Sequence, residues 1–202
     1  MTFDQIATGQ LRWLPELMFG YYECEPGNPY DESYFQIYIN YENTPICEAL
    51  NKARVDLVKR HYQGAVVDIG IGCGSFISAH GNAWGYDINP AAIDWLRDRD
   101  LYIEPHQIVA ATFWDSFEHI RNPASILDEV TGWVFMSIPI FDGADHVLRS
   151  KHYRKDEHYW YFTSLGIREY MKLHGFECID SSDMETKIGR EDIGSFVFKR
   201  LL

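Results

Sequence analysis

The chain has 202 residues, a formal net charge of −12, hydrophobic residues at 46% and aromatics at 15%. That length suits one well-buried core better than two full domains, and the apolar fraction excludes disorder. The acidic balance disfavours a nucleic-acid substrate, because gripping phosphates takes a basic face, although Arg149, Lys151, Arg154 and Lys155 gather positive charge locally.

Residues 1–43 are aromatic and irregular, with a turn signal at Pro26-Gly27-Asn28-Pro29 and a tyrosine-rich stretch from Tyr34 to Tyr41. They read as a cap segment over a site, ahead of a main domain spanning 44–202. Trimming residues 1–30 is therefore expected to cost activity more than folding. No basic and apolar leader opens the chain, and no segment approaches the roughly 18 apolar residues of a membrane span. Cys24, Cys47, Cys73 and Cys178 show no Cys-x-x-Cys spacing, so neither a zinc ribbon nor a disulfide framework is indicated. Reduced thiols and a cytoplasmic location are the expectation.

Thr44 is an N-cap with Pro45 at the first helical position, and Ile46, Leu50, Ala53, Leu57 and Val58 recur at helical spacing up to His61. Ala65 to Val67 suits a buried parallel strand. After it comes Asp68-Ile69-Gly70-Ile71-Gly72-Cys73-Gly74-Ser75, a turn nearly free of side chains that opens a helix. Ala83 to Tyr86 is a second strand, ending at Asp87. Asn89 caps a helix with Pro90 at its first position, running to about Arg97. Leu101-Tyr102-Ile103 is a short third strand, Ile108 to Phe113 a fourth, and Pro123 to Val130 a helix. Trp133 to Ile138 is a fifth strand, stopped by Pro139. A last helix starts at Thr163 or Ser164 and closes at Gly175, and Phe176–Ile179 with Ser195–Lys199 supply two late strands. This alternation predicts a doubly wound α/β sheet.

The glycine turn and Asp87 belong together. Backbone N–H groups at the turn allow close approach of a ligand, and an acid at the end of the next strand accepts both hydroxyls of a ribose. A dinucleotide fingerprint would place its third glycine at position 75, which is Ser75. Asp68, at the strand end, can fix the glycine loop through backbone N–H groups.

The pattern Asp-x-Gly-x-Gly-x-Gly from Asp68 to Gly74 resembles motif I of the class I S-adenosylmethionine (SAM) dependent methyltransferases, and Gly85-Tyr86-Asp87-Ile88-Asn89-Pro90 resembles their motif II. Asp115-Ser116-Phe117-Glu118-His119 resembles the acidic segment of the small-molecule branch that includes the ubiquinone-pathway O-methyltransferases. The resemblance covers roughly 54–200. It implies a Rossmann-like seven-stranded methyltransferase sheet flanked by helices, with the late strands as an antiparallel edge hairpin. It also implies SAM as cofactor and S-adenosylhomocysteine (SAH) as product. Asp68, Gly70, Gly72, Gly74, Asp87, Ile88, Trp114 and Asp115 are then the cofactor-binding residues, with adenine recognition left mostly to Ile88 and backbone groups, since Glu104 and His106, the candidates for its amino group, stand in no motif.

Methyl transfer is an in-line displacement, so most of the work lies in positioning the acceptor, and a hydroxyl or amine acceptor also needs a base. The candidates are His119, past the fourth strand, and His152 and His158 in the aromatic segment before the last helix. In the ubiquinone branch the positions of Asp115, Glu118 and His119 hold a divalent metal. Aspartate at the first position is a shorter arm, and no fourth ligand is in sight, so no metal is expected here. The expectation is transfer to a small-molecule O or N acceptor entering between the N-terminal segment and the loop from His152 to Thr163. The alternatives are a nucleic-acid or protein methyltransferase of the same fold, and a SAM-binding partner without transfer activity. Oligomeric state is open.

Overall fold

The computed structural model describes residues 11–23 and 30–201, so the turn signal at 26–29 and Cys24 lie outside the described residues. The first described elements are strands β1 (Arg12–Leu14) and β2 (Phe19–Tyr21), an antiparallel pair. Helix α1 (Glu32–Glu42) follows, its N-terminus capped by the Asp31 carboxylate accepting from the Tyr34 amide. Helix α2 (Pro45–His61) is capped by Thr44, with Lys59, Arg60 and His61 in its last turn, where cations favour the carbonyl end of the helix.

The main sheet begins with β3 (Val66–Ile69), buried at every residue. Helix α3 (Ser75–His80), β4 (Ala83–Tyr86) and α4 (Pro90–Arg97) come next, Asn89 capping α4. Then follow β5 (Ile108–Trp114), a 3-10 turn over Phe117–His119, the short α5 (Ala124–Leu127) and the long β6 (Val130–Pro139). After α6 (Ala144–Arg149), strand β7 (Trp160–Phe162) leaves the main sheet to pair with β2, giving a small sheet in the order β1-β2-β7. Helix α7 (Ser164–Leu173) leads to β8 (Phe176–Ser182), α8 (Met184–Lys187) and β9 (Ile193–Arg200).

The main sheet runs β4-β3-β5-β6-β9-β8, parallel through β6 and antiparallel at β9 and β8. It therefore has six strands rather than the expected seven. Leu101 to Ile103 reaches β4 only as a single parallel bridge, Gly85 to Tyr102. The physical reason lies in the sequence that follows: Pro105 lacks an N–H, and Gln107 turns the chain away with a positive φ of 48°. Pro139 does not stop β6 outright; it is the strand's last residue and pairs with Ile193.

Apolar side chains pack on both faces of this sheet. On one face Val134, Met136, Ile138, Phe196 and Phe198 meet Ile167, Met171 and the small sheet; on the other Val66, Ala110 and Phe135 meet α2, α3 and α4. Phe19 of β2 is 1% exposed and packs against Trp160, Phe162 and Tyr170, with ring centroids 5.5–6.2 Å away. The N-terminal segment thus does more than cap a site: its first strands complete part of the core. Among the described residues no helix is long and apolar enough to cross a membrane.

Candidate active site

Strand order reverses between β3 and β5, and the carboxyl ends of strands at such a point leave a crevice outside the sheet. Here the crevice is a cavity of about 1170 Å³, larger than the roughly 300–1,000 Å³ of a typical small-molecule site. Asp68, Gly70, Gly72, Asp87, Ile88, Trp114, Asp115, His119, His152 and His158 all line it, so the structure gathers every sequence-derived site residue except Gly74. Gly74 sits just behind, as the residue before α3, with φ of +78°.

The cradle between β3 and α3 is shaped by its glycines. Gly70 has φ of +78°, and a Cβ there would stand 2.7 Å from Ser116 Cβ, so a side chain fails on conformation and on space alike. Asp87 then ties the two βα loops together. Its Oδ2 accepts from the Ile71 amide and its Oδ1 from the Asn89 amide, each at 2.8 Å. Burial raises its pKa, while those backbone amides oppose the rise. Each carboxylate oxygen keeps acceptor capacity for a further donor. Ile88, 64% exposed at the rim, offers an apolar face that a bound planar group would cover. Glu104 and His106 line the same cavity.

Deeper in, Asp68 is buried and accepts from the Thr112 hydroxyl at 2.6 Å. Burial pushes its pKa up to about 7, against the pull of that hydrogen bond and of the Arg54 charge. Trp114 is buried beside Phe76, and its Nε1 has no hydrogen-bond partner among the described residues. An orphaned buried donor on a cavity wall is a place for a ligand acceptor.

Helix α1 closes one side. Asn89 Nδ2 donates to the Asp31 carbonyl at 2.9 Å, fixing the start of α1 to the loop after β4. Tyr34, Tyr38 and Tyr41, spaced to share one helix face, and Tyr30 just before the helix all line the cavity. Tyr34 and Tyr38 hydroxyls lie 3.1 Å apart, and Tyr30 Oη is 3.3 Å from His119 Nδ1.

Asp115 departs from its expected role. Its carboxylate accepts from Arg190 Nη1 at 2.6 Å, from Arg190 Nη2 at 2.9 Å and from Arg54 Nη2 at 2.9 Å. The same two arginines reach Glu185, which is fully buried. Burial favours the neutral acid at Asp115, but Arg190 and Arg54 win and hold its pKa below the usual range. Two arginines against two carboxylates make a closed ionic lattice joining α2, the loop after β5, and α8. Arg54 also lies over the Trp114 ring, 5.1 Å from its centroid. Asp115 is thus occupied within the protein, with φ of +57°, and is not a free ligand for a cofactor or a metal. None of Arg54, Glu185 and Arg190 was marked by a motif; they meet only through the fold.

At the other side of the cavity, the Tyr159 amide donates to the Glu118 carbonyl at 2.9 Å and brings the segment before β7 against the 3-10 turn. His119 and His158 meet edge to face with centroids 4.5 Å apart. Burial, with Arg154 nearby, lowers the His119 pKa to about 4. Burial, with His119 next to it, lowers that of His158 to about 2. Glu118 is pushed well up by burial and by the Asp115 charge. His152 Nε2 contacts the Glu191 carbonyl at 3.1 Å. Glu118, His119 and His158 each offer one ligand atom, and these atoms lie within 4.8 Å of one another.

A family profile described as a methyltransferase domain matches residues 38–181 of this chain. No curated protein sequence matches it. Among solved structures it is similar to a SAM-dependent methyltransferase from Clostridium acetobutylicum, at 13% identity and TM-score 0.58, covering 84% of this chain and 98% of that one. It is also similar to the magnesium protoporphyrin IX methyltransferase of Synechocystis with bound SAH, at 11% identity and TM-score 0.53, over 80% and 87% of the two chains. The glycopeptide N-methyltransferase MtfA complexed with SAM matches at 10% identity and TM-score 0.53, over 73% and 86%. With the profile spanning the glycine turn, Asp87 and the strands around them, the chain belongs to the methyltransferase-domain family.

Proposed function

We propose that this protein is a SAM-dependent methyltransferase acting on an oxygen or nitrogen of a small molecule, with SAH as the product. The observation that carries the reading is the cradle at the switch point: a glycine turn held open by Gly70, with the Asp87 carboxylate accepting from both flanking loops. The fit extends to the orphaned Trp114 Nε1 and to a cavity with room for more than one ligand. When bound, SAM supplies an electrophilic methyl on a sulfonium. Asp87 would receive the ribose hydroxyls, Ile88 would cover the adenine, and Asp68 would face the methionine ammonium.

The acceptor half is the wall made by Tyr30, Tyr34, His119, His152 and His158. At neutral pH His119 and His158 are uncharged, because burial disfavours the imidazolium; each can accept a hydrogen bond from an acceptor O–H or N–H, and would serve as a base only with its pKa brought back toward neutrality by charge bound at the site. The acidic net charge and this enclosed, aromatic wall support a small acceptor over nucleic acid.

The test is calorimetry on the purified chain. SAM and SAH are expected to bind with micromolar-range affinity and NAD not detectably. Asp87→Ala removes charge-assisted hydrogen bonds of about 1.5–3 kcal/mol each, a loss of at least roughly tenfold in affinity. NAD binding without a SAM response would overturn the assignment.

A further inference from the structure

Glu118, His119 and His158 form a group that neither the cofactor cradle nor the ionic lattice uses. Their candidate ligand atoms lie within 4.8 Å of one another, and all three residues line the cavity. Glu118 is 2% exposed and His158 3%, yet Glu118 Oε2 and His158 Nδ1 have no hydrogen-bond partner among the described residues. A buried polar atom left unpaired is costly, and two of them in one close cluster on a cavity wall mark a place for a guest.

We propose that Glu118, His119 and His158 bind a divalent transition-metal cation whose remaining coordination positions open onto the acceptor half of the cavity. Two imidazoles and one carboxylate suit zinc, manganese, iron or cobalt, whereas magnesium and calcium prefer an all-oxygen shell. Bonds of about 2.0–2.2 Å place neighbouring ligand atoms roughly 3–4 Å apart, so the side chains need close by only about 1 Å to share one ion. The His119 ring already contacts the Glu157 backbone, the kind of outer support that orients a ligating histidine.

This ligand set differs from the Asp115, Glu118, His119 trio implied by the ubiquinone-branch resemblance. Asp115 is held by two arginines, and His158, from a segment 39 positions after His119 in the sequence numbering, takes its place. It also reverses the sequence expectation of no metal, which rested on the short Asp115 arm and on a missing fourth ligand: His158 replaces that arm, and the fourth position is left to water or the acceptor. A cation here would polarise an oxygen or nitrogen acceptor, and His119 and His158 would then serve as its ligands, leaving His152 as the free base candidate. That use rests on the methyltransferase reading; binding of the cation does not.

The experiment is titration of the full chain, stripped with chelator, by Co²⁺ followed through its visible absorption, with SAM binding measured on the same samples. One Co²⁺ per chain is expected, displaced by Zn²⁺ and not by Mg²⁺ at equal concentration. His158→Ala and Glu118→Gln should each weaken Co²⁺ by at least about 100-fold while SAM still binds, and His152→Asn should leave Co²⁺ affinity unchanged. If His158→Ala loses SAM binding and so reports misfolding, His119→Ala carries the comparison. Absence of stoichiometric Co²⁺ binding, or equal binding by the ligand variants, overturns the site. SAM binding retained in that case leaves the methyltransferase reading standing and puts water between the orphaned atoms.

Discussion

Asp68 is the residue at which burial, charge and the proposed ligand act on one proton. In the free protein burial has lifted its pKa to about 7, so much of it is protonated just below neutrality. A methionine ammonium placed beside it would favour the carboxylate, lower that pKa and release a proton on binding. The sign follows: SAM affinity should tighten as pH rises between about 5.5 and 7 and flatten above, approaching tenfold per pH unit at the steepest. Calorimetry across that range, in buffers of differing ionisation enthalpy, checks both the slope and the proton. Asp68→Asn should bind without the slope, and a slope that survives it would locate the proton elsewhere. Glu185 offers a second single-residue test. With a fully buried side chain and both Arg54 and Arg190 on it, Glu185→Ala leaves positive charge unpaired in the interior. Breaking such a pair from one side typically costs about 3–5 kcal/mol, measurable as a lower midpoint in urea.

Among elements, the strands of the parallel core were legible because each is a short apolar run followed by turn chemistry: β4 over Ala83–Tyr86 agrees with the reading residue for residue, and β5 over Ile108–Trp114 to within one. Helix α2 was legible for the same reason, Thr44 and Pro45 marking its start. Helix α1 falls in the stretch the sequence marks as irregular, though Asp31 before it and Tyr34, Tyr38 and Tyr41 along it carry a cap and a helical stripe; tyrosines on a cavity wall blur the apolar signal that periodicity relies on. Strands β1, β2 and β7 are three residues each, too short to alternate, and their pairing is purely tertiary. The site divides in the same way. Asp68, Gly70 and Asp87 follow one another along a single βαβ unit and can be read locally, whereas Arg54, Glu185 and Arg190 converge from positions up to 136 apart in sequence. The expectation that trimming residues 1–30 costs activity more than folding now has a cost to folding set against it, since β2 delivers Phe19 into a nest of aromatic rings. Phe19→Ala should cost about 3–5 kcal/mol, a large share of a typical domain's stability, and removal of residues 1–22 should cost at least as much. A truncated chain that melts with the intact one would show that β1 and β2 are ornamental.

At the scale of the molecule, the proposed function divides the wall of one cavity between two sets of elements with separate tasks. The proposed cofactor wall, built from the ends of β3, β4 and β5, belongs to the central sheet, in which β3 is buried at every residue and β5 at all but Val109. The proposed acceptor wall is built from α1, the 3-10 turn after β5 and the loop before β7, joined to the rest by hydrogen bonds that include Asn89 to Asp31, Tyr159 to Glu118 and the Trp160 indole to the Ile120 carbonyl. Changes on the second wall should therefore leave the first intact. His119→Ala and His158→Ala are expected to keep SAM affinity within about twofold while at least one lowers turnover by about 100-fold or more, whether the imidazole takes a proton or holds a cation. His152→Ala separates those two roles, because it removes a base candidate without touching the cluster of Glu118, His119 and His158. Single-turnover methyl transfer from labelled SAM to an acceptor found by screening, run beside calorimetry of SAM on each variant, makes the measurement. If SAM affinity and turnover fall together in every histidine variant, the two walls act as one unit, and the division of labour between the central sheet and the aromatic wall is wrong.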